Sequence, residues 1–134
     1  TQVILPLMKS DLVEVIETCL EGNLETVSLD WQPGAAVTVV LASDGYPHSY
    51  QSGYPISGLD EAARMPGVLI FHAGTRWVDG RLVTHGGRVL NITGVGDSLA
   101  QAVERAYAGV NQVRFERMHF RTDIGRRWLQ KMTS

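Results

Sequence analysis

Apolar residues recur every three or four positions in two stretches of the chain, which is the spacing of an amphipathic helix. The first predicted helix runs from about residue 10 to residue 21, with Ser10 as its N-cap and Gly22 as its stop. The second begins near Ser98, where Ser-Leu-Ala-Gln has the form of a capping box. The first apolar stripe comprises Leu12, Val13, Ile16, Cys19 and Leu20. The second comprises Leu99, Ala102, Val103, Ala106, Tyr107, Val110 and Val113.

The residues between these helices are β-branched or alternate in polarity, and they predict strands. The predicted strands cover residues 36–42, 68–72, 76–78, 81–83 and 87–93. Asp79-Gly80 separates two of them and favours a two-residue hairpin turn. The last strand presents Val89, Asn91 and Thr93 on one face and Leu90 and Ile92 on the other. The order of elements indicates an α+β fold with a mostly antiparallel sheet flanked by helices.

The remaining segments give weaker signals. Residues 43–58 are rich in Gly, Pro, Tyr and Ser and predict a long irregular loop, which in a small domain often has a function. Residues 60–64 predict a short helix, and residues 114–120 are compatible with another strand. Asp123 is the expected cap of a final helix that carries Ile124, Trp128 and Met132 on one side.

Composition and charge exclude several classes of protein. A chain of 134 residues with 44% hydrophobic and 19% charged residues is sized for one compact domain. The single Cys19 excludes an internal disulfide, and the apolar runs are too short for a membrane span. The first 30 residues hold six acidic residues and one basic residue, whereas residues 114–134 hold six basic and two acidic ones. With a net charge of -2, these runs indicate solvated faces, and neither a nucleic acid nor a membrane is an expected partner.

The usual motifs of catalysis are missing from the sequence. The four histidines lack the helical spacing of a zinc motif, and there is no Gly-x-Ser-x-Gly elbow, phosphate loop or dinucleotide fingerprint. We therefore assign no catalytic residue and no metal ligand to this chain.

Two glycine-containing stretches, residues 71–75 and 84–88, are the candidate binding site. They flank the predicted hairpin, so their ends should meet. Backbone N–H groups, a hydroxyl and an arginine can together bind a phosphate. In the competing structural interpretation, the glycines only form tight turns and the arginine covers a sheet edge. The candidate site residues are His72, Gly74, Thr75, Gly86, Gly87 and Arg88.

The chain also carries a series of segments that match one family in order. They are Thr1-Gln-Val-Ile-Leu-Pro-Leu, Lys9-Ser-Asp-Leu, Gly45-Tyr-Pro, Phe71-His-Ala-Gly-Thr, Asp79-Gly-Arg, Val83-Thr-His-Gly-Gly-Arg-Val-Leu and Arg121-Thr-Asp-Ile-Gly. On these segments the chain resembles the C-terminal part of phosphoribosylamine–glycine ligase (glycinamide ribonucleotide synthetase), an ATP-grasp enzyme. The resemblance covers nearly all of the chain, although His48 stands where the family usually has glycine.

The resemblance implies a function in purine biosynthesis. The family enzyme joins 5-phosphoribosylamine to glycine in the cytoplasm, using ATP and Mg²⁺, whose ligands would lie upstream of Thr1. Residues 1–34 would be the last strand and helix of the ATP-grasp unit plus a linker, and residues 35–134 the C-terminal domain. The start without Met is then expected to reflect excision from a longer protein rather than processing. The chain alone would be inactive, with phosphoribosylamine, glycine, ATP and the remaining ATP-grasp domains as partners of the parent enzyme.

Three other interpretations stay open at this point. The chain could be a stand-alone binding or regulatory module of the same fold. It could be a structural domain that closes the cleft without touching substrate. It could also be the equivalent domain of another purine-pathway ATP-grasp ligase.

Overall fold

The fold is taken from a computed structural model that describes residues 1–132. The helices are α1 Leu12–Leu20, α2 Leu59–Ala63, α3 Leu99–Val110 and α4 Arg126–Met132, with 3-10 turns at Leu5–Leu7 and Leu24–Thr26. The strands are β1 Ala35–Ser43, β2 Val68–His72, β3 Thr75–Val78, β4 Arg81–Thr84, β5 Arg88–Gly96 and β6 Met118–His119. None of the helices in residues 1–132 combines the length and apolar character that crossing a bilayer requires.

The strands form one antiparallel sheet and one separate hairpin. The sheet has the order β2-β5-β1-β6, and all of its neighbours are antiparallel. β3 and β4 form the separate two-stranded hairpin, around a turn in which Asp79 and Gly80 have φ of 48° and 74°. These positive φ values are those of the hairpin turn that Asp-Gly favours. The predicted α+β class, the antiparallel sheet and the hairpin are confirmed.

The core lies between α3 and one face of the sheet. Ala102, Ala106 and Val110 of α3 are fully buried, as are Leu90 and Ile92 of β5. Ser98 caps α3, because its hydroxyl accepts a hydrogen bond from the Gln101 backbone N–H at 3.2 Å. The Gln101 side chain in turn accepts from the Asp97 N–H, one residue before the position that the capping box predicts. The predicted apolar stripe of the second helix is confirmed.

A bulge interrupts the pairing of β1 with β5 at the end that carries the candidate site. Leu41 pairs with Leu90, but the next residue, Ala42, pairs with Arg88. Val89 therefore has no partner in β1, and the alternation of faces along β5 shifts at this point. Bulges of this kind redirect a side chain at the end of a strand.

The N-terminal segment differs from the prediction in two respects. Asp11, and not Ser10, caps α1, since its carboxylate accepts from the N–H groups of Val13 and Glu14. The Ser10 hydroxyl is engaged by the N–H of Asp30 at 2.8 Å. The expected strand before α1 is replaced by a 3-10 turn, and residues 1–10 form only one isolated bridge, between Met8 and Trp31. Extended pairing needs a neighbouring backbone over several residues, and this segment meets one at a single position.

The predicted apolar stripe of α1 lies on the surface. Val13, Ile16 and Leu20 are 62%, 50% and 83% exposed, and no residue of α1 is buried. Further exposed apolar residues flank the helix, namely Ile4, Leu5, Leu24, Leu29 and Trp31. An apolar surface of this extent usually marks an interface.

We expect the backbone amides of α1 to exchange with solvent faster than those of α3. Opening α1 exposes little additional apolar surface, whereas opening α3 exposes the core. Hydrogen exchange followed by mass spectrometry on the isolated chain measures the difference. Equal protection of the two helices would contradict this expectation.

The C-terminal segment also departs from the prediction. Strand pairing within residues 114–120 is limited to Met118 and His119. Asp123 does not cap α4 with its side chain, because its carboxylate accepts two hydrogen bonds from Arg121, at 2.9 and 2.7 Å. These hydrogen bonds lower the pKa of Asp123. Trp128 is exposed, with the Lys131 ammonium over its ring. The side chain of Met132, which the prediction placed beside it, lies outside the described residues.

Candidate functional site

The structure brings the two glycine-containing stretches together at the bulged end of β5. The N–H groups of Ala73 and Gly74 donate to the carbonyl oxygens of Val89 and Arg88, at 3.0 and 2.8 Å. The His85 N–H donates to the Gly74 carbonyl at 2.7 Å. The two turns therefore form one continuous unit.

Backbone packing within this unit requires a glycine at position 74. A Cβ on Gly74 would lie 2.7 Å from both the Arg88 carbonyl oxygen and the Gly86 Cα. Since the N–H groups of Ala73, Gly74 and Thr75 all donate to protein carbonyls, they are not available to an anion. The prediction that the N–H groups of this turn bind an anion is therefore wrong for Ala73, Gly74 and Thr75. The structural interpretation of Gly74 fits better.

The second turn retains unpaired donors. Among the hydrogen bonds of residues 1–132, none has the amide N–H of Gly86 or Gly87 as its donor. Their carbonyl oxygens, by contrast, accept from the Ser43 hydroxyl and the Ser43 N–H. Gly87 packs against the Tyr46 ring so closely that any Cβ there would overlap the ring. Position 87 therefore requires a glycine, because the Tyr46 ring fills the space that a side chain would occupy. We call this ring the aromatic wall of the site.

Arg88 lines a cavity on the face of the sheet opposite α3. This cavity, which we call the Arg88 pocket, has a volume of about 510 Å³. Its lining residues are Gln2, Thr38, Val40, Tyr46, Ala73, Gly87, Arg88 and Asn91. Arg88 is exposed, and its guanidinium makes no hydrogen bond or ion pair within residues 1–132. An unpaired guanidinium beside free backbone amides is suited to a phosphate, which can accept several hydrogen bonds at once.

The loop that carries Tyr46 is held at its start by an ion pair. Arg117 contacts the Asp44 carboxylate at 3.2 Å, and the Asp44 N–H donates to the Arg117 carbonyl at 2.9 Å. The hydrogen bond to Asp44 raises the pKa of Arg117. These contacts join the loop to the segment before β6 and help to keep the aromatic wall of the Arg88 pocket in position.

His72 and Thr75 lie apart from the Arg88 pocket. His72 pairs with Leu90 in the register of β2 with β5, which places it on the core face of the sheet. Its Nδ1 lies 3.1 Å from the Thr75 hydroxyl. His72 lines a different cavity of about 800 Å³, between the β3–β4 hairpin and α2. The six predicted site residues are therefore divided. Gly87 and Arg88 line the pocket, Gly86 carries an unpaired N–H in the adjoining turn, Gly74 supports that turn, and His72 and Thr75 lie apart.

Asn91 is a pocket residue that the sequence prediction did not include. It lies in the middle of β5, between Val40 of β1 and Phe71 of β2. Only 8% of its surface is exposed, and its side chain forms no hydrogen bond within the described part of the chain. A sequence signal existed, since asparagine is unfavourable in a strand of apolar residues.

No metal centre is apparent among the described residues. Within residues 1–132, no three His, Cys, Asp or Glu side chains come together in an arrangement that could hold a metal ion.

Comparison with known proteins identifies the family. Residues 36–127 match the family described as phosphoribosylglycinamide synthetase, C domain. The chain belongs to this family. The matched segment begins inside β1 and ends inside α4, so it contains both turns and the Arg88 pocket apart from Gln2.

Individual members of the synthetase family match nearly the whole chain. The phosphoribosylamine–glycine ligase of Chlorobaculum tepidum is 48% identical over 125 residues, covering 93% of this chain and 29% of the relative. The trifunctional purine biosynthetic protein adenosine-3 of Homo sapiens is 47% identical over 125 residues, covering 92% of this chain and 12% of the relative. The chain thus spans less than a third of these relatives, and the family resemblance predicted from the sequence is confirmed.

A solved structure has the same fold. The crystal structure of the phosphoribosylamine–glycine ligase from Thermotoga maritima superposes with a TM-score of 0.76 at 35% sequence identity. The match covers 90% of this chain and 29% of that one. The fold described above is therefore the fold of that part of a solved ligase.

Proposed function

We propose that this chain is the C-terminal domain of a phosphoribosylamine–glycine ligase, an enzyme that joins 5-phosphoribosylamine and glycine in purine biosynthesis with ATP. The observation that carries the proposal is the family match over residues 36–127. Ligases that are 44–48% identical over more than nine-tenths of the chain support it. The cytoplasmic location implied by the resemblance is part of the proposal, although the Arabidopsis thaliana relative is named chloroplastic.

Within such a ligase, the Arg88 pocket would hold the 5-phosphate of phosphoribosylamine. Arg88 supplies an unpaired positive charge, and Gly86 and Gly87 supply two unpaired amides. The phosphate is remote from the reacting amine, so binding it orients the amine without taking part in the reaction. Of the six residues predicted from the sequence, we retain Gly86, Gly87 and Arg88 as phosphate contacts and Gly74 as their support.

The steps that use ATP and Mg²⁺ belong to other parts of the proposed ligase. ATP would supply the phosphoryl group that activates the glycine carboxylate, and Mg²⁺ would offset the charge of the phosphates. The described residues do not fit a metal site, so we derive no step through Mg²⁺ on this chain. The chain would bind and orient phosphoribosylamine and close one side of the cleft.

Residues 1–34 would dock on the ATP-grasp part of the ligase. The family match begins at residue 36, after this segment. The exposed apolar residues of α1 and its flanks then form the contact surface, and Leu20, at 83% exposed, would be among those buried by it. Burying them provides hydrophobic stabilisation between the two parts of the enzyme.

A chimeric ligase tests the proposed function. Residues 1–134 replace the aligned C-terminal region of the Chlorobaculum tepidum ligase, and the ATP-dependent formation of glycinamide ribonucleotide is measured. We expect activity from the chimera and none from the same ligase truncated before this region. A folded chimera with no activity would contradict the proposal.

We expect the isolated chain to have no ligase activity and no micromolar affinity for MgATP. Phosphoryl transfer requires a metal that bridges the phosphates and groups that position them, and the chimera acquires these from its donor ligase. Isothermal titration calorimetry with MgATP on the isolated chain, with the chimera as positive control, measures the difference. Micromolar binding of MgATP to the isolated chain would contradict the proposal that ATP binds to other parts of the ligase.

A further inference from the structure

The side chain of Asn91 has no structural explanation within the fold. It is nine-tenths buried in the central strand of the sheet, and its amide forms no hydrogen bond within residues 1–132. Its neighbours on the adjoining strands, Val40 and Phe71, are apolar. Most of this side chain lies beside apolar residues, and asparagine is unfavourable in a strand, so an apolar residue at this position would fold at least as well.

The Asn91 amide is directed to the Arg88 pocket. Asn91 lines this pocket together with Arg88 and Gly87. In the described part of the chain, every side-chain nitrogen or oxygen that is shut off from solvent has a hydrogen-bond partner. Because the Asn91 amide has no partner, its polar atoms must retain solvent contact. They are therefore available to a ligand that enters the pocket.

Asn91 and Arg88 offer complementary chemistry to one ligand. A guanidinium only donates hydrogen bonds and pairs with an anion, whereas an amide both donates and accepts, as a sugar hydroxyl does. The two residues are three positions apart on β5, roughly 10 Å along the strand, and the long Arg88 side chain can shorten this distance. The pair therefore matches a molecule that carries a phosphate at one end and hydroxyls a few bonds away.

We infer that Asn91 binds a ribosyl hydroxyl and makes the Arg88 pocket selective for a pentose phosphate over free phosphate. The inference rests on the proposed function and extends it, since it assigns the sugar contact as well as the phosphate contact. A ligand without the hydroxyl lacks this hydrogen bond, so the pocket binds it more weakly by about the contribution of one hydrogen bond. Asn91 is thus a specificity-determining residue.

The test compares ribose 5-phosphate with inorganic phosphate as probes of the isolated chain. Heteronuclear NMR titrations follow the Asn91 side-chain amide and give a dissociation constant for each probe. We expect ribose 5-phosphate, but not inorganic phosphate, to shift the Asn91 side-chain resonances. We expect Asn91→Leu to weaken ribose 5-phosphate binding about 3- to 10-fold, the effect of one hydrogen bond, and to change phosphate binding less than about twofold.

Thermal unfolding of the same variant separates binding from a structural role. If Asn91 serves the ligand, Asn91→Leu should leave Tm unchanged or raise it, because the variant loses no hydrogen bond of the fold. A matched control, Asn111→Leu, changes an exposed asparagine after α3 and should affect neither probe. A lower Tm for Asn91→Leu with unaltered selectivity would overturn the inference. So would the absence of any Asn91 shift at millimolar ribose 5-phosphate.

Failure of this inference can be distinguished from failure of the proposed function. An inactive chimera would contradict the ligase function even if the isolated chain binds ribose 5-phosphate through Asn91. An active chimera together with an isolated chain that does not distinguish the two probes would leave the ligase function standing and overturn the role of Asn91.

Discussion

Gly94→Ala is expected to destabilise the chain by about 3 kcal/mol, near the upper end of the range for overpacked cores. Gly94 lies in β5 where α3 crosses the sheet, and a Cβ there would overlap the Ala102 carbonyl oxygen and the Ala106 backbone nitrogen. Both are main-chain atoms of a hydrogen-bonded helix, so the whole of α3 must move away from the core. Thermal or urea unfolding of the isolated chain measures the effect, which corresponds to a decrease in Tm of roughly 10 °C.

Gly86→Ala is the control for this variant. Gly86 also lacks a positive φ, but its Cβ would approach only the Gly74 Cα at 3.0 Å, a contact that a small shift of the turn relieves. We expect a loss below about 1 kcal/mol, partly offset by the lower flexibility of alanine in the unfolded chain. If both variants lose the same stability, close packing of α3 on Gly94 is not what fixes this helix on the sheet.

Elements with local signals were predictable from the sequence. The β3–β4 hairpin depends on the φ preferences of Asp79 and Gly80, which are properties of those two residues. The start of α3 depends on Ser98 and Gln101, three positions apart. The cap of α1 was not predictable in this way. Ser10 and Asp11 are both good caps, and the choice is made by Asp30, twenty positions away, which engages Ser10.

The candidate site was only partly predictable, because its geometry depends on pairing between distant strands. The sequence indicated that the two glycine turns meet, and it grouped Asn91 with the face opposite Leu90. It did not indicate the bulge between Leu41 and Ala42. Because the bulge shifts the alternation of side chains along β5, a strict alternation in the sequence assigns Arg88 to the wrong face of the sheet. For the same reason, the sequence groups His72 with Arg88, although His72 lies on the core face of the sheet.

The exposed stripe of α1 illustrates a further limit. Periodicity predicts which face of a helix is apolar, but it does not identify what covers that face. In α1 the apolar face contacts no core within residues 1–132. In α3 a stripe of the same kind is buried by the sheet.

Arg88→Ala is expected to lower kcat/KM for phosphoribosylamine about 10- to 150-fold in the active chimera, which corresponds to a charge-assisted hydrogen bond of roughly 1.5–3 kcal/mol. The reason is that Arg88 has no partner within the described residues and lines the pocket beside Gly87 and Asn91. The KM for ATP and the KM for glycine should change little, because the variant removes a contact to the phosphoribosyl group alone. Steady-state kinetics with each substrate varied in turn measures all three.

Two further variants distinguish a phosphate contact from a surface brace. Arg88→Lys keeps the charge but loses the planar fork, so it should recover part of kcat/KM, whereas Arg76→Ala removes another exposed arginine from β3 and should leave the kinetics unchanged. A bracing role predicts the opposite pattern for Arg88→Ala, a lower Tm with nearly normal kinetics. Because the Arg88 guanidinium contacts no acceptor within residues 1–132, we expect the Tm of the Arg88→Ala chimera to stay close to that of the unmodified chimera. If Arg88→Ala changes kcat/KM by less than about twofold, which corresponds to less than roughly 0.5 kcal/mol, Arg88 is not the phosphate anchor. The Gly86 and Gly87 amides would then be the remaining donors at this site.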